Sequence, residues 1–172
     1  MTMPNWCANR VYLQAPEETI AEIKAAILNG DGDEQGLLQY LCPEPSHLAD
    51  GEWYSWRVQN WGTKWEVQAE IFSESKNELG LWFDSAWAPP VEAFTHWMSQ
   101  TQDRAYQMTF FEPGMMFCGE VESGLVNEYA IPGTVAEVQA SIPSALDEEW
   151  GISEMVEEME REMEETEDAE SN

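Results

Sequence analysis

Two histidines, three cysteines and thirty-four carboxylates are the side chains that could carry chemistry, and their spacing argues against most of it. A nucleophile needs a serine or cysteine beside a histidine that a carboxylate orients. Only His47 and His96 are available. His47 falls in a proline-rich loop, and His96 lies beside the apolar stripe of a segment that reads as a helix, so both are expected to be ordinary surface or half-buried imidazoles. Cys7, Cys42 and Cys118 are odd in number, widely spaced and free of any C-x-x-C pair, which argues against a zinc ribbon, an iron–sulfur centre or a disulfide scaffold. Free thiols in a reducing cytoplasm are the simpler expectation. Asp31 and Asp33 sit among glycines but lack the full calcium-loop spacing. The chain is therefore expected to be noncatalytic, with no cofactor and no metal.

Binding chemistry is better represented. Trp53, Trp56, Trp61 and Trp65 arrive within a short stretch beside Lys64, and could form an aromatic platform for a base, a peptide or a cation. The competing reading, that they seal an insertion against the core, is the stronger. It rests on Trp65 and Trp87 falling on the core-facing side of alternating segments. Trp82 shares the opposite face with Asp84 and is expected to be exposed. Trp53, Trp56, Trp61 and Lys64 remain the candidate ligand site of an alternative, a peptide or small-ligand module.

Charge constrains the partner. Thirty-four acids against seven bases give a net charge of −27 in 172 residues, and a surface that negative repels phosphate. From Asp147 onward there are thirteen acids and one base, which leaves twenty-one acids and six bases before it, so body and tail are both acidic. Glu66, Glu70, Asp84, Glu120 and Glu122 are expected on the outward sheet face. A like-charge contact at about four ångströms costs on the order of 1 kcal/mol even when well screened. RNA binding on that face is therefore disfavoured. The expected partner is a protein with a basic, nucleic-acid-gripping surface; direct nucleic-acid binding is not expected, and the oligomeric state stays open.

The elements that must position these residues follow from periodicity. Arg10 to Gln14 alternates as a strand, and Pro16, Glu17 and Glu18 open a helix with Ile20, Ile23 and Ile27 on one stripe, stopped at Asn29-Gly30. From about residue 30 to 63 the pattern loosens into an insertion. It has a polar turn at Asp31, Gly32, Asp33 and Glu34, a short helix at Leu37 to Leu41, and a tryptophan-rich remainder. Trp65 to Ser73 and Leu79 to Trp87 alternate as two strands of a hairpin. Pro89-Pro90 opens a helix with Val91, Phe94, Trp97 and Met98 on its stripe. Tyr106 to Phe110 and Met115 to Val121 complete the strands. The order is α+β, a ferredoxin-like β-α-β-β-α-β sheet over residues 3–131 with one extra strand.

Residues 132–172 form an acidic helical extension. Ser144 and Asp147 resemble a capping box, and Gly151 a stop. Ile152, Met155, Val156, Met159 and Met163 then make a thin apolar stripe on a glutamate-rich helix, with disorder expected beyond Glu164. Three readings stay open: docking of the stripe on the body, a solvated acidic tail that adds solubility, or a partner-binding helix in which Glu154, Glu157, Glu158, Met159, Glu160, Glu162 and Met163 make contact. Glu66, Glu70, Trp82 and Asp84 are the partner-binding candidates on the body. No apolar run is long enough to span a membrane and no signal-peptide pattern opens the chain, so a cytoplasmic protein is expected. Met1-Thr2-Met3 allows an alternative start at Met3.

Several short motifs occur together: Met3-Pro4-Asn5-Trp6-Cys7, Asn9, Trp61-Gly62-Thr63-Lys64-Trp65, Ser85-Ala86-Trp87-Ala88-Pro89-Pro90, Glu112-Pro113-Gly114 and Phe117-Cys118-Gly119. In combination they resemble the phage- and plasmid-encoded proteins with a YubB-type ferredoxin-like domain. Ala88 stands where that family has serine, and Glu66 where aspartate is usual. The resemblance implies a ferredoxin-like fold and a mobile-element origin, and assigns no catalytic residue. Joined to the charge, it leads to the expectation of a noncatalytic phage protein that inhibits a host defence nuclease or CRISPR component by imitating DNA.

Overall fold

A computed structural model describes residues 4–31 and 35–171. Met3 of the first motif, the Gly32, Asp33 and Glu34 part of the expected turn, and the Met1-Thr2-Met3 start lie outside the described residues. Strand β1 (Trp6–Gln14) runs through the middle of a six-stranded antiparallel sheet. It buries Cys7, Asn9, Val11 and Leu13 on one side and turns Trp6, Arg10 and Tyr12 to the other, the two-residue period of a pleated strand. Helix α1 (Glu17–Leu28) buries Ile20 and Ile23 and carries Glu17 and Glu18 where the helix dipole favours acids.

The insertion holds α2 (Leu37–Leu41) and a second helix absent from the sequence expectation, α3 (Glu52–Asn60). Strand β2 (Glu70–Glu74) pairs with β3 (Glu78–Ala86), helix α4 (Val91–Ser99) buries Phe94 and Trp97, and β4 (Ala105–Glu112) follows. Strands β5 (Phe117–Glu122) and β6 (Leu125–Ala130) form a terminal hairpin. The sheet order is β2-β3-β1-β4-β5-β6. Helices α5 (Val135–Ser141), α6 (Ser144–Trp150) and α7 (Ile152–Glu170) complete the described residues.

Two hydrophobic clusters lie on opposite faces of this sheet. On the inner face Val11, Leu81, Phe83, Met108 and Phe110 meet Ile23, Leu38, Phe94 and Trp97 of α1, α2 and α4. On the outer face Cys118 joins Val138, Leu146, Ile152 and Val156 of α5, α6 and α7, with Phe111, Tyr129 and Trp150 against them. Phe111 and Cys118 are cross-strand partners, as are Cys118 and Tyr129, so all three point the same way.

The structure differs from these expectations in four places, two in the sheet and two in the C-terminal helices. It has six strands, not five: β6 carries no apolar stripe, and five of its six residues are exposed. The β5–β6 turn is made by Ser123 and Gly124, both with positive φ, the geometry of a tight hairpin. Strand β2 begins at Glu70, because residues 66–69 leave the ladder. The capping box lies at Thr134 and Glu137, where the Thr134 hydroxyl accepts from the Glu137 N–H. Asp147 instead accepts from the Ser153 N–H and hydroxyl, and so ties α6 to the start of α7. Finally, α7 runs to Glu170, past the Glu164 limit expected for order.

Candidate functional site

The groups with nucleophilic potential are turned inward and kept neutral. Burial pushes the Cys7 thiol up to about 12, with the Glu112 carboxylate adding to the effect. Burial does the same to Cys118, to about 11, helped by Asp147 and Glu128, and lifts Cys42 as well. An activated thiol would be shifted the other way. His47 and His96 are both exposed, one in a loop and one on α4. Among the described residues, no three His, Cys, Asp or Glu side chains gather in a way that could hold a metal ion.

The tryptophans of the insertion do not make one platform. Trp61 is fully buried and its indole N–H donates to the Cys42 carbonyl at 2.8 Å. Trp56 packs edge-on against it, and Arg57 lies over Trp61 while its Nε donates to Glu44 at 2.6 Å. Trp53 is exposed beside Tyr54 on α3. The Lys64 ammonium lies 4.0 Å from the Trp65 ring centre and 5.6 Å from that of Trp87. Of the candidate ligand set Trp53, Trp56, Trp61 and Lys64, Trp61 is core, Arg57 lies over both Trp53 and Trp61 and donates to the Lys64 carbonyl, and the Lys64 ammonium turns to Trp65. Trp87 also departs from expectation. It follows β3 with φ of 72° and is 43% exposed, because its N–H is held by the Asn5 carbonyl in a turn that swings the side chain outward.

The motif residues assemble one end of the sheet. Buried Asn9 donates to the Cys7 and Phe83 carbonyls and to the Ser85 hydroxyl, which in turn donates to the Ala88 carbonyl. Thr63 donates to the Ala86 carbonyl. Buried Glu112 accepts from the Gly114 and Met115 N–H groups. This lattice satisfies buried polar groups and leaves exposed Trp6 against Trp65, their ring centres 6.1 Å apart; Trp65 is half-buried and precedes β2, so it is not the core-facing strand residue expected.

The carboxylates expected to meet a partner fall into three groups. Glu66 is the correction. Its carboxylate accepts from the N–H groups of Leu38, Gln39 and Val67 at 2.7, 2.8 and 3.0 Å, closing the start of α2 from a distant part of the chain. Burial lifts its pKa, while those three donors and Arg57 pull it back. Glu70, Trp82 and Asp84 do stand together on the outer face, where Trp82 opposes Glu70 and is 43% exposed. Desolvation raises the Asp84 carboxyl.

The third group is on α7. Ile152 and Val156 are buried and Met155 packs with them, so the helix docks on the body through its first turns. Glu160 accepts from the Val135 N–H and also faces the body. Glu154, Glu157, Glu158, Met159, Glu162 and Met163 are exposed. Helix α7 belongs with the β5 and β6 side of the sheet, and β2 lies at the other edge. Five strand spacings separate β2 from β6, about 24 Å.

Every basic residue is already engaged within the chain. Arg10 pairs with Glu149 at 3.4 Å, Lys24 with Glu74 at 2.6 Å, Arg57 with Glu44 at 2.6 Å, Lys76 with Glu17 at 3.1 Å and Arg161 with Glu158 at 3.8 Å. Lys64 covers Trp65, and Arg104 lies over Trp97 while donating to its carbonyl. The outer face also holds residues that the sequence reading did not single out: Arg10, Tyr12, Phe72 and Glu149. Alternation alone put Tyr12 there, but nothing in the sequence signals the Arg10–Glu149 pair, 139 positions apart.

No family model matches the chain, and no curated protein matches it. A solved structure described as the crystal structure of a protein api92 from Yersinia pseudotuberculosis, family-model DUF1281, is similar at 18% identity with a TM-score of 0.36. The match covers 57% of this chain and 37% of that protein, so the chain spans little more than a third of its length. Among the described residues, no helix is long and apolar enough to cross a membrane.

Proposed function

We propose that this chain is a noncatalytic binding protein that occupies the basic, nucleic-acid-gripping surface of another protein, its carboxylates standing where phosphates would lie. The observation that carries this reading is the commitment of all seven basic side chains to partners within the chain, which leaves the remaining carboxylates to set the outward field. Such a field steers association and suppresses contact with nucleic acid itself. Exposed Trp82, Met159 and Met163 supply apolar contacts that slow dissociation. We read β1 to β4 with α1 and α4 as a ferredoxin-like unit extended by the β5–β6 hairpin. The strand order β2-β3-β1-β4 supports that reading. Taken with the motif resemblance, the partner belongs among host cytoplasmic defence proteins, a nuclease or a CRISPR component, met by a phage or plasmid product.

The test is affinity capture from host lysate with the full chain at low and high salt, followed by challenge with duplex DNA. A captured protein that is released both by salt and by DNA fits the reading. Captured proteins that withstand both, or that release with salt but ignore DNA, refute the imitation of a polynucleotide.

A further inference from the structure

The open part of the outer face carries a groove that neither the motif lattice nor the docked helices use. Two adjoining hollows of about 350 and 410 Å³ share Tyr12 and Gln107. They lie open because α5 to α7 cover only the Phe111, Cys118 and Tyr129 part of the sheet. Glu149 of α6 forms one wall. Tyr12 stands between the hollows, 48% exposed, and is held edge-on by Phe72 at 5.4 Å. Phe72 in turn lies over Gly80, where any Cβ would meet the ring at 2.8 Å, so the glycine is what lets that ring lie against the strand.

Charge selects the occupant. The first hollow presents Glu120, Glu122 and Glu149 against a single cation, Arg10. Arg10 is spoken for by Glu149, and its guanidinium lies 4.7 Å from the Phe72 ring centre. Glu78 lines the second hollow, where the Gln14 amide donates to it. Anions are therefore repelled along the whole groove and cations attracted. The sheet suits an extended occupant: Glu120 and Glu122 are two residues apart on one strand face, about 6.6 Å, the distance between alternate side chains of an extended chain. The Tyr12 ring accepts the aliphatic stem or the cation of a lysine or arginine. Gln107 and Asn127, both exposed in the first hollow, supply amide partners for a peptide backbone.

We propose that this groove receives an extended segment of the partner protein, with basic side chains at alternate positions lying against Glu120 and Glu122 on the Tyr12 side of the sheet. It rests on the reading of the chain as a ligand for basic protein surfaces, and names where on the body such a surface is gripped. The site is separate from the α7 carboxylates.

The experiment is fluorescence anisotropy at low ionic strength with the full chain and a labelled peptide carrying arginine at alternate positions. A second peptide carries the same arginines three positions apart. The alternate peptide is expected to bind several-fold tighter. The Glu120→Gln/Glu122→Gln double variant is expected to weaken it at least tenfold, and Glu18→Gln/Asp50→Asn, two exposed carboxylates away from the groove, to change it less than twofold. Circular dichroism and thermal melting verify that each variant is folded. Amide shifts at Tyr12 and Gln107 on titration with the alternate peptide would place the ligand, and shifts confined to α7 would overturn the groove. Equal binding by the Glu120/Glu122 double variant would also overturn it, yet leave the wider acidic-ligand reading intact. Failure of both peptides, together with no salt- and DNA-sensitive protein in the capture assay, would end both.

Discussion

Glu66 separates a structural carboxylate from a partner-binding one, and its removal gives a decisive measurement. In Glu66→Ala, the N–H groups of Leu38 and Gln39 at the start of α2 lose their acceptor, as does that of Val67. Hydrogen bonds to a charged group contribute about 1.5–3 kcal/mol each, and loss of a helix cap costs about 1 kcal/mol. Water reaches part of the vacated space and the carboxylate's own desolvation cost disappears, which offsets much of the sum. The expected net loss is about 2 kcal/mol, a fall in Tm of about 4–8 °C for a chain of this size.

The pH dependence has a definite sign. The folded pKa of Glu66 is raised above its ordinary 4.5, so the folded state holds the proton more tightly than the unfolded state. The stability linked to that proton is complete below the unfolded value and is lost as pH rises through the folded one. The gap between the parent and Glu66→Ala should therefore widen as pH falls through the folded pKa towards 4.5. Urea titrations followed by tryptophan fluorescence at several pH values measure both quantities. A destabilisation under about 0.5 kcal/mol would refute the assignment of Glu66 as the cap of α2, whereas a gap that narrows on acidification would show that the three donors and Arg57 outweigh burial.

The outer cluster gives a second measurement: Ile152→Ala and Val156→Ala empty sites that are 0% and 1% exposed, and together should cost about 3–5 kcal/mol. Hydrogen exchange should then show α5 to α7 opening while β1, β3 and β4 stay protected; uniform loss of protection would contradict a separate outer cluster. The thiols provide a third. With Cys7 at about 12 and Cys118 at about 11, against an ordinary 9.0, thiolate at pH 8 is on the order of one part in 10⁴ and 10³, so a disulfide reagent should react slowly until denaturant is added. Stability from these neutral thiols is complete below pH 9 and falls as pH climbs towards 11 and 12.

Regular periodicity was legible where one face of an element meets one environment. The stripe of α1, the short α2, the alternation of β1 and β3 and the glycine stop at Gly151 all follow from residues only a few positions apart. What escaped depends on distant partners. Glu66 alternates outward by position, but α2 draws it inward through backbone donors nearly thirty residues away. Trp87 continues the period of β3, yet Asn5 captures its N–H and turns it out. Strand β6 has no apolar stripe to read, since five of its six residues are exposed and its contact with the outer cluster is Tyr129. The same limit applies to the candidate sites. Trp82, Asp84 and the exposed α7 residues were visible as outward positions. The groove at Tyr12 was not, because its wall is Glu149 and its cation is already neutralised by that wall.

The far end of α7 shows how charge and order are linked in this chain. Beyond Val156 the helix has Met159 39% and Met163 64% exposed, and so gains little from the core. Its last turn contains no base, and Glu167, Asp168 and Glu170 crowd the end at which the helix dipole disfavours negative charge. A helical segment of that length is marginal alone, and repulsion between neighbouring carboxylates lowers its stability further. A basic surface laid against it would reverse both terms, placing cations near the C-terminus and covering the two methionines. The sheet groove needs no such ordering, since β1, β4 and β5 are fixed by their ladders. Under the proposed function the body would therefore offer a preformed contact, and the helix one whose order a basic partner would itself strengthen. Affinity for the groove should depend mainly on charge, while affinity for α7 should also carry the entropy of fixing its last turns.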